Sequence, residues 1–333
     1  MLIIIFLWLT LILIGLRFNK NMPDTAFTID NSMALRGICS IEIMIGHLGV
    51  ATGAPVLFPN RKAGILFVGV FFALSGYGLM YSLANKEDYL TNFFPGRIKK
   101  ILIPAYIVFV ITVILHSIID QNMRNMINVI NIKSFFLYTN WYVWELLMLY
   151  IVFYISVRID RIGKKFHYII LAFSIIFVCV AYELNFENPW YGSTFCFWLG
   201  IVYFLYKDKF KEIFVLRHSM IKIISCCSVM AISIVLFFVR GGGVVGLLVS
   251  RNIASVSFVI MVIILLHWFS LNNSVSIWLG KYSYEIFLFH PLFIDTLRPW
   301  IGDDIVYTLL VIGITILASY IYKICWNKMS FLK

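Results

Sequence analysis

The 333 residues are 62% hydrophobic and 13% charged, with a mean hydropathy of +0.93, where soluble domains are roughly half apolar and a quarter charged. That balance excludes a soluble globular chain and makes this an all-α polytopic membrane protein, with the lipid bilayer as its first partner. The formal net charge of +11 is split into short clusters between apolar runs, as the positive-inside rule expects, and leaves no basic domain free to hold nucleic acid.

Residues 1–16 are an almost unbroken apolar run, and its cations, Arg17 and Lys20, follow it. A cleaved signal peptide has the opposite polarity, so the run is expected to be an uncleaved span with its N-terminus outside. Ten further candidate spans lie near 33–51, 63–84, 98–119, 141–157, 166–184, 191–206, 218–239, 244–270, 275–296 and 304–326, about eleven transmembrane helices in all. Alternate connections hold nineteen cations: Arg17, Lys20 and Arg36, then Lys86 to Lys100, Arg158 to Lys165, Lys207 to Arg217, Lys281, and Lys323 to Lys333. The opposite side holds six, Arg61, Lys62, Arg124, Lys133, Arg240 and Arg298. The first side is therefore expected to be cytoplasmic, together with the C-terminus. Connections of about 20 residues or fewer leave no room for a soluble domain. The six cysteines fall inside apolar runs without metal or redox spacing, so no metal site is expected. Gly241–Gly243 lack the strand and Lys-Ser/Thr context of a phosphate loop.

The motifs that carry chemistry begin in the second span. Arg36, Glu42 and His47 lie there, with ten residues between Arg36 and His47. Eleven residue steps bring Arg36 and His47 to nearly the same helix face, about 16 Å apart along the axis, while Glu42 lies round the side. Charged groups at membrane depth usually face a cavity and have a function. Neutral imidazole takes a proton near neutral pH, so His47 is a candidate general base. The third span carries Ser75-Gly76-Tyr77, by frequency a packing notch; without a nucleophile elbow around it, Ser75 is a weak candidate for a nucleophile. Arg97 and Lys100, three residues apart at the cytoplasmic mouth of a span with Pro104, form either a membrane anchor or a clamp for an anionic cytosolic ligand. Trp141 and Glu145 open the fifth span, and Glu285 and His290 share the tenth.

This ordered set resembles the acyltransferase-3 family of integral-membrane acyltransferases. The likeness rests on Arg36 with His47, Ser75-Gly76-Tyr77, Arg97 to Lys100 with Pro104, the Trp141 segment, and Tyr282-Ser283-Tyr284 through His290. The resemblance implies an acyl group, often acetyl, taken from cytosolic acyl-CoA and delivered to a hydroxyl of an extracytoplasmic glycan or lipid-linked sugar, at the cell membrane. His47 would then be the catalytic base, and Arg36, Arg97 and Lys100 would hold the acyl-CoA phosphates. Ser75, Tyr77, Trp141, Glu145, Glu285 and His290 would line the substrate site. Family members commonly have ten spans, so residues 1–32 read as an added span with its connection, and residues 33–333 as the acyltransferase domain. Lys100 stands where a second arginine is usual, and Glu42 replaces an apolar position. The rival reading is a proton-coupled transporter or glycan flippase with Glu42, His47, Glu145 and Glu285 as its relay. Against it, the chain lacks an evident inverted repeat.

Overall fold

A computed structural model describes residues 2–54, 58–119, 134–135, 141–160, 165–186, 188–216, 219–239, 244–271 and 273–331. Gly241–Gly243 and the cations Arg124, Lys133, Arg161, Lys164, Arg217, Arg240 and Lys333 lie outside these residues. The fold is helical. The first helices are α1 Leu2–Ile14, α2 Ile29–Thr52 and α3 Phe58–Asn85. A continuous rod follows, made of α4 Phe93–Arg97, a π-helical turn Ile98–Leu102 and α5 Ile103–Ile119. After it come α6 Trp141–Ile159, α7 Phe166–Glu183, α8 Phe195–Leu205, α9 Lys207–Phe210, α10 Ser219–Val239, α11 Val244–Trp268, α12 Ser274–Gly280, α13 Ser283–Leu297 and α14 Asp304–Phe331.

Seven helices among the described residues are long and apolar enough to cross a membrane. They are Ile29–Thr52, Ala63–Asn85, Phe93–Ile119, Trp141–Ile159, Phe166–Glu183, Ser250–Trp268 and Asp304–Lys328. An eighth candidate, Lys207–Leu216 with Met220–Ile232, is bent by 94°, and Phe195–Leu205 is apolar but shorter. The tenth expected span, 275–296, is not one helix but two, interrupted at Lys281–Tyr282. Gly280 is the last residue of the first of them, and its bare Cα lies against the Met33 carbonyl where no side chain would fit. The second then starts with Glu285 in its first turn, next to the helix's positive end.

Local sequence sets the ends of α2. The Thr28 side chain accepts from the Asn31 N–H at its start. Gly53, at φ 71°, closes the far end in the left-handed conformation, its N–H bonded to Gly49 O at 3.2 Å. The π turn before α5 has a cause as well. Pro104 has no N–H to give, and its ring would crowd the carbonyl four residues back, so the turn widens through Lys99 and Lys100.

Helix α2 packs along α3 and α12, α3 along α8, α10 along α11, and α13 along α14. Lipid is as apolar as leucine, so small residues that let backbones approach decide such contacts. Gly76 and Gly200 do this between α3 and α8, each against the other helix's backbone carbonyl. Large apolar side chains such as Ile175, Ile176, Leu309 and Leu317 face outward, as a lipid-facing surface requires.

One end of the bundle is tied together by the connections. Leu16–Phe18 pairs antiparallel with Phe269–Leu271, Asn19 N–H bonds Trp268 O at 2.8 Å, and Lys211 Nζ donates to Met22 O at 3.2 Å. His267 joins the same corner, with Nε2 3.1 Å from the Tyr203 hydroxyl and Nδ1 3.2 Å from Pro23 O. Helix α1 is held against the bundle by the Trp8 indole, which donates to Glu42 Oε1 at 2.9 Å, and by Asn273, which donates to Leu11 O.

Candidate active site

A cavity of about 420 Å³ opens among α2, α3, the π turn, α6, α13 and α14, within the size range of small-molecule sites. Arg36 enters it from α2, Phe71 and Ser75 from α3, Arg97, Lys100, Ile101 and Pro104 from the rod of α4, the π turn and α5, and Tyr142, Leu146 and Tyr150 from α6. Ser283, Tyr284, Glu285 and Phe287 come from the start of α13, where the interrupted helix exposes its first turns, and Lys323, Trp326 and Asn327 from the end of α14.

Four cations and one carboxylate thus meet in one space. The Arg97 guanidinium sits in an aromatic cage, 5.2 Å from the Tyr150 ring centroid, 5.5 Å from Phe93 and 5.8 Å from Tyr89, and donates to the Tyr89 hydroxyl. Burial pushes that phenol above its usual pKa, Arg97 pulling the other way, so it is neutral and leaves the guanidinium charge uncancelled. Stacking of this kind fixes a planar cation's orientation while its edge stays available for an anion. Lys100 feels the like charges of Arg97, Lys86 and Lys323. Lys323 Nζ is 2.6 Å from Glu285 Oε1, and the Tyr284 hydroxyl donates to Ile101 O at 2.9 Å, tying α13 to the π turn. Ser75 is hydrogen-bonded to the Tyr142 hydroxyl, which also feels the charge of Arg36.

His47 and His290 do not line this cavity. They form a pair of their own: His290 Nε2 lies 2.9 Å from His47 Nδ1, and His290 Nδ1 lies 3.1 Å from Ile286 O. The protons can be assigned from these contacts. A carbonyl oxygen only accepts, so His290 Nδ1 carries its hydrogen; in the neutral ring Nε2 is then an acceptor, and His47 Nδ1 must donate to it. His47 Nε2 is left with a lone pair. His290 is wholly buried, whereas His47 is exposed and interacts electrostatically with Asp295. Phe287, in the cavity wall, has its ring 4.8 Å from Tyr142 and 5.7 Å from His290. Phe287 therefore touches both the cavity and the histidine pair.

The remaining predicted site residues are elsewhere. Tyr77 is buried, with its hydroxyl 2.9 Å from Thr25 Oγ1 and its ring edge-on to Phe27. Trp141 packs against Tyr142 and Trp190. Glu145 is 1% exposed and accepts from the Thr194 hydroxyl at 2.7 Å. Sequence reasoning missed Tyr142, Tyr150, Lys323, Trp326 and Asn327 as cavity residues. The i, i+3, i+4 spacing of Lys323, Trp326 and Asn327 was the available signal, since those positions share a helix face.

Residues 29–324 match the sequence model of a family described as an acyltransferase domain. No curated protein and no solved structure matches the chain.

Proposed function

The chain belongs to the acyltransferase-3 family of membrane acyltransferases, and from that premise we propose that it moves an acyl group, acetyl in the simplest case, from cytosolic acyl-CoA to a hydroxyl of an extracytoplasmic or lipid-linked glycan. One observation carries this reading: Arg36, Arg97 and Lys100, far apart in sequence, converge on a single cavity whose wall residue Phe287 touches His290. Cations on a cavity wall suit the phosphates of the donor. The pantetheine arm then runs past Phe287 and carries the thioester toward His47, about 16 Å from Arg36 along α2.

At that end the acceptor oxygen attacks the thioester carbonyl while its proton passes to His47 Nε2. The carbon–sulfur bond breaks, and the departing thiolate takes a proton back, so the histidine is restored. A positioned base contributes about 10²–10⁴-fold to such a step. His290 acts as a positioning residue, because its Nε2 accepts from His47 Nδ1 and so keeps the lone pair on the outward nitrogen.

The proposed topology has eleven spans, the N-terminus outside and the C-terminus in the cytoplasm. It is supported by the grouping of connections: the 15–28 and 206–216 segments, assigned to the cytoplasm by charge, and the 269–271 segment, on the same side by the alternation of spans, are bonded to one another at one end. Reporter fusions at the two termini test this, and an external C-terminus would reverse the donor and acceptor sides. A relay for proton-coupled transport finds less support: the three acids have three different hydrogen-bond partners, Trp8 donating to Glu42, Thr194 to Glu145 and Lys323 to Glu285. The deciding experiment incubates the purified protein with acetyl-labelled acetyl-CoA. Release or transfer of label that vanishes in His47→Ala, with CoA still bound, is expected; equal turnover in a folded His47→Ala protein would refute the mechanism.

A further inference from the structure

We propose that Lys323 is a fourth anion-binding cation of the cavity, put in place by Glu285, and that it takes a phosphate of the donor together with Arg36, Arg97 and Lys100. This rests on the reading of the cavity as the acyl-CoA site.

The placement of the pair argues for a ligand role. Glu285 is buried, its side chain 4% exposed, whereas the Lys323 side chain is 35% exposed and reaches the cavity from the last turns of α14. The 2.6 Å contact engages one of the three ammonium N–H groups, leaving two for an anion. A free lysine would lose rotamer freedom on being fixed; the buried carboxylate imposes that order before any ligand arrives, which favours binding. Lys323 also acts on Lys100, which feels Arg97 and Lys86 as well. This crowding of like charge is relieved by an incoming polyanion, and coenzyme A, with a pyrophosphate and a separate phosphate monoester, offers more anionic oxygens than Arg97 and Lys100 can meet. Finally, Glu285 Oε2 is buried and without a hydrogen-bond partner. In the cavity wall this oxygen is an acceptor for a ligand N–H, such as the amides of a pantetheine arm.

The test is CoA binding by calorimetry to the full-length protein in detergent micelles, comparing wild type, Arg97→Gln and the double variant Lys323→Gln/Glu285→Gln. The double substitution removes one charge of each sign, so the net charge of the cavity is unchanged, and the amide introduced by Glu285→Gln keeps an acceptor oxygen for a ligand N–H, so the group lost to an anion is the placed ammonium. About tenfold weaker binding is expected, the effect of one hydrogen bond to a charged group. Wild-type affinity in the folded double variant, with weakened binding in Arg97→Gln, overturns the role of Lys323 and leaves the donor cavity standing. Failure of wild type to bind CoA, or full affinity in Arg97→Gln, removes the donor reading and this inference with it. Amine-reactive labelling of the wild-type protein, followed by mass spectrometry, needs no variant to fold: CoA should protect Lys323, and undiminished labelling at saturating CoA overturns the proposal.

Discussion

His290 Nε2 lies 2.9 Å from His47 Nδ1 while the other nitrogen of His290 is engaged by the Ile286 carbonyl, so the proton of one ring dictates the tautomer of the other. His290→Ala removes the acceptor and frees His47 to turn or to change tautomer. Acyl transfer should fall by much of the about 10²–10⁴-fold that a positioned base supplies, with CoA affinity unchanged. His290→Gln should recover part of the loss, because an amide oxygen can also accept from His47 Nδ1. A His290→Ala enzyme with normal kcat would mean that the pair only fills space.

Arg97 and Lys100 should separate donor binding from chemistry. Either residue changed to Gln weakens CoA binding, most strongly at low salt, because the contact that is lost is itself electrostatic and is screened over about 8–10 Å at physiological ionic strength. Arg97→Lys should not restore it, because an ammonium cannot stack flat within the Tyr89, Phe93 and Tyr150 cage or grip a phosphate at two points. Unchanged affinity in both Gln variants would return these residues to plain membrane anchoring.

The helices were legible in the sequence because an apolar run of about 20 residues has few alternatives in a bilayer. The interruption at Lys281–Tyr282 was not, since averaging hydropathy over a span hides one lysine and the backbone contact of Gly280 with Met33. The cations that share a helix or a mouth could be read from spacing. Which side chains face the cavity could not, and angular position explains two of the misses. Ser75 and Tyr77 are about 200° apart on a helix, so with Ser75 in the cavity Tyr77 turns to Thr25. Tyr142, Leu146 and Tyr150 form the cavity-facing stripe of α6, and Glu145, about 100° from Leu146, meets Thr194 instead. Lys323 looked like a cytoplasmic anchor because an anchor and a cavity cation have the same sequence signature at a helix end.

Glu42, the acid standing where the family resemblance leads one to expect an apolar residue, has a structural partner in the added first helix. Trp8→Phe deletes the indole donor to Glu42 Oε1 and should lower stability by about 1.5–3 kcal/mol, the range for a hydrogen bond to a charged group. Trp8→Phe combined with Glu42→Leu should be less harmful than Trp8→Phe alone, because removing both partners leaves no carboxylate to desolvate. Thermal unfolding in micelles reads this out, and a Trp8→Phe protein as stable as wild type would show that α1 is held by other contacts.

Glu145 decides between the enzyme and the transporter readings. Its side chain is buried deep in α6, 1% exposed, and receives the Thr194 hydroxyl at 2.7 Å. Glu145→Gln keeps the size and an acceptor oxygen for Thr194 but can no longer bind or release a proton. Under the acyltransferase reading Glu145 is a packing and hydrogen-bonding group outside the cavity, so Glu145→Gln should fold, bind CoA and transfer acyl groups within about threefold of wild type, since no charge-assisted contact to ligand is lost. Glu145→Ala should instead destabilise the protein by about 1–3 kcal/mol, because the buried Thr194 hydroxyl loses its acceptor and a void opens beside it. A proton relay through Glu145 predicts the opposite order of severity in function, with Glu145→Gln inactive although correctly folded. Loss of activity in Glu145→Gln at normal stability and normal CoA affinity would therefore shift the case to proton coupling.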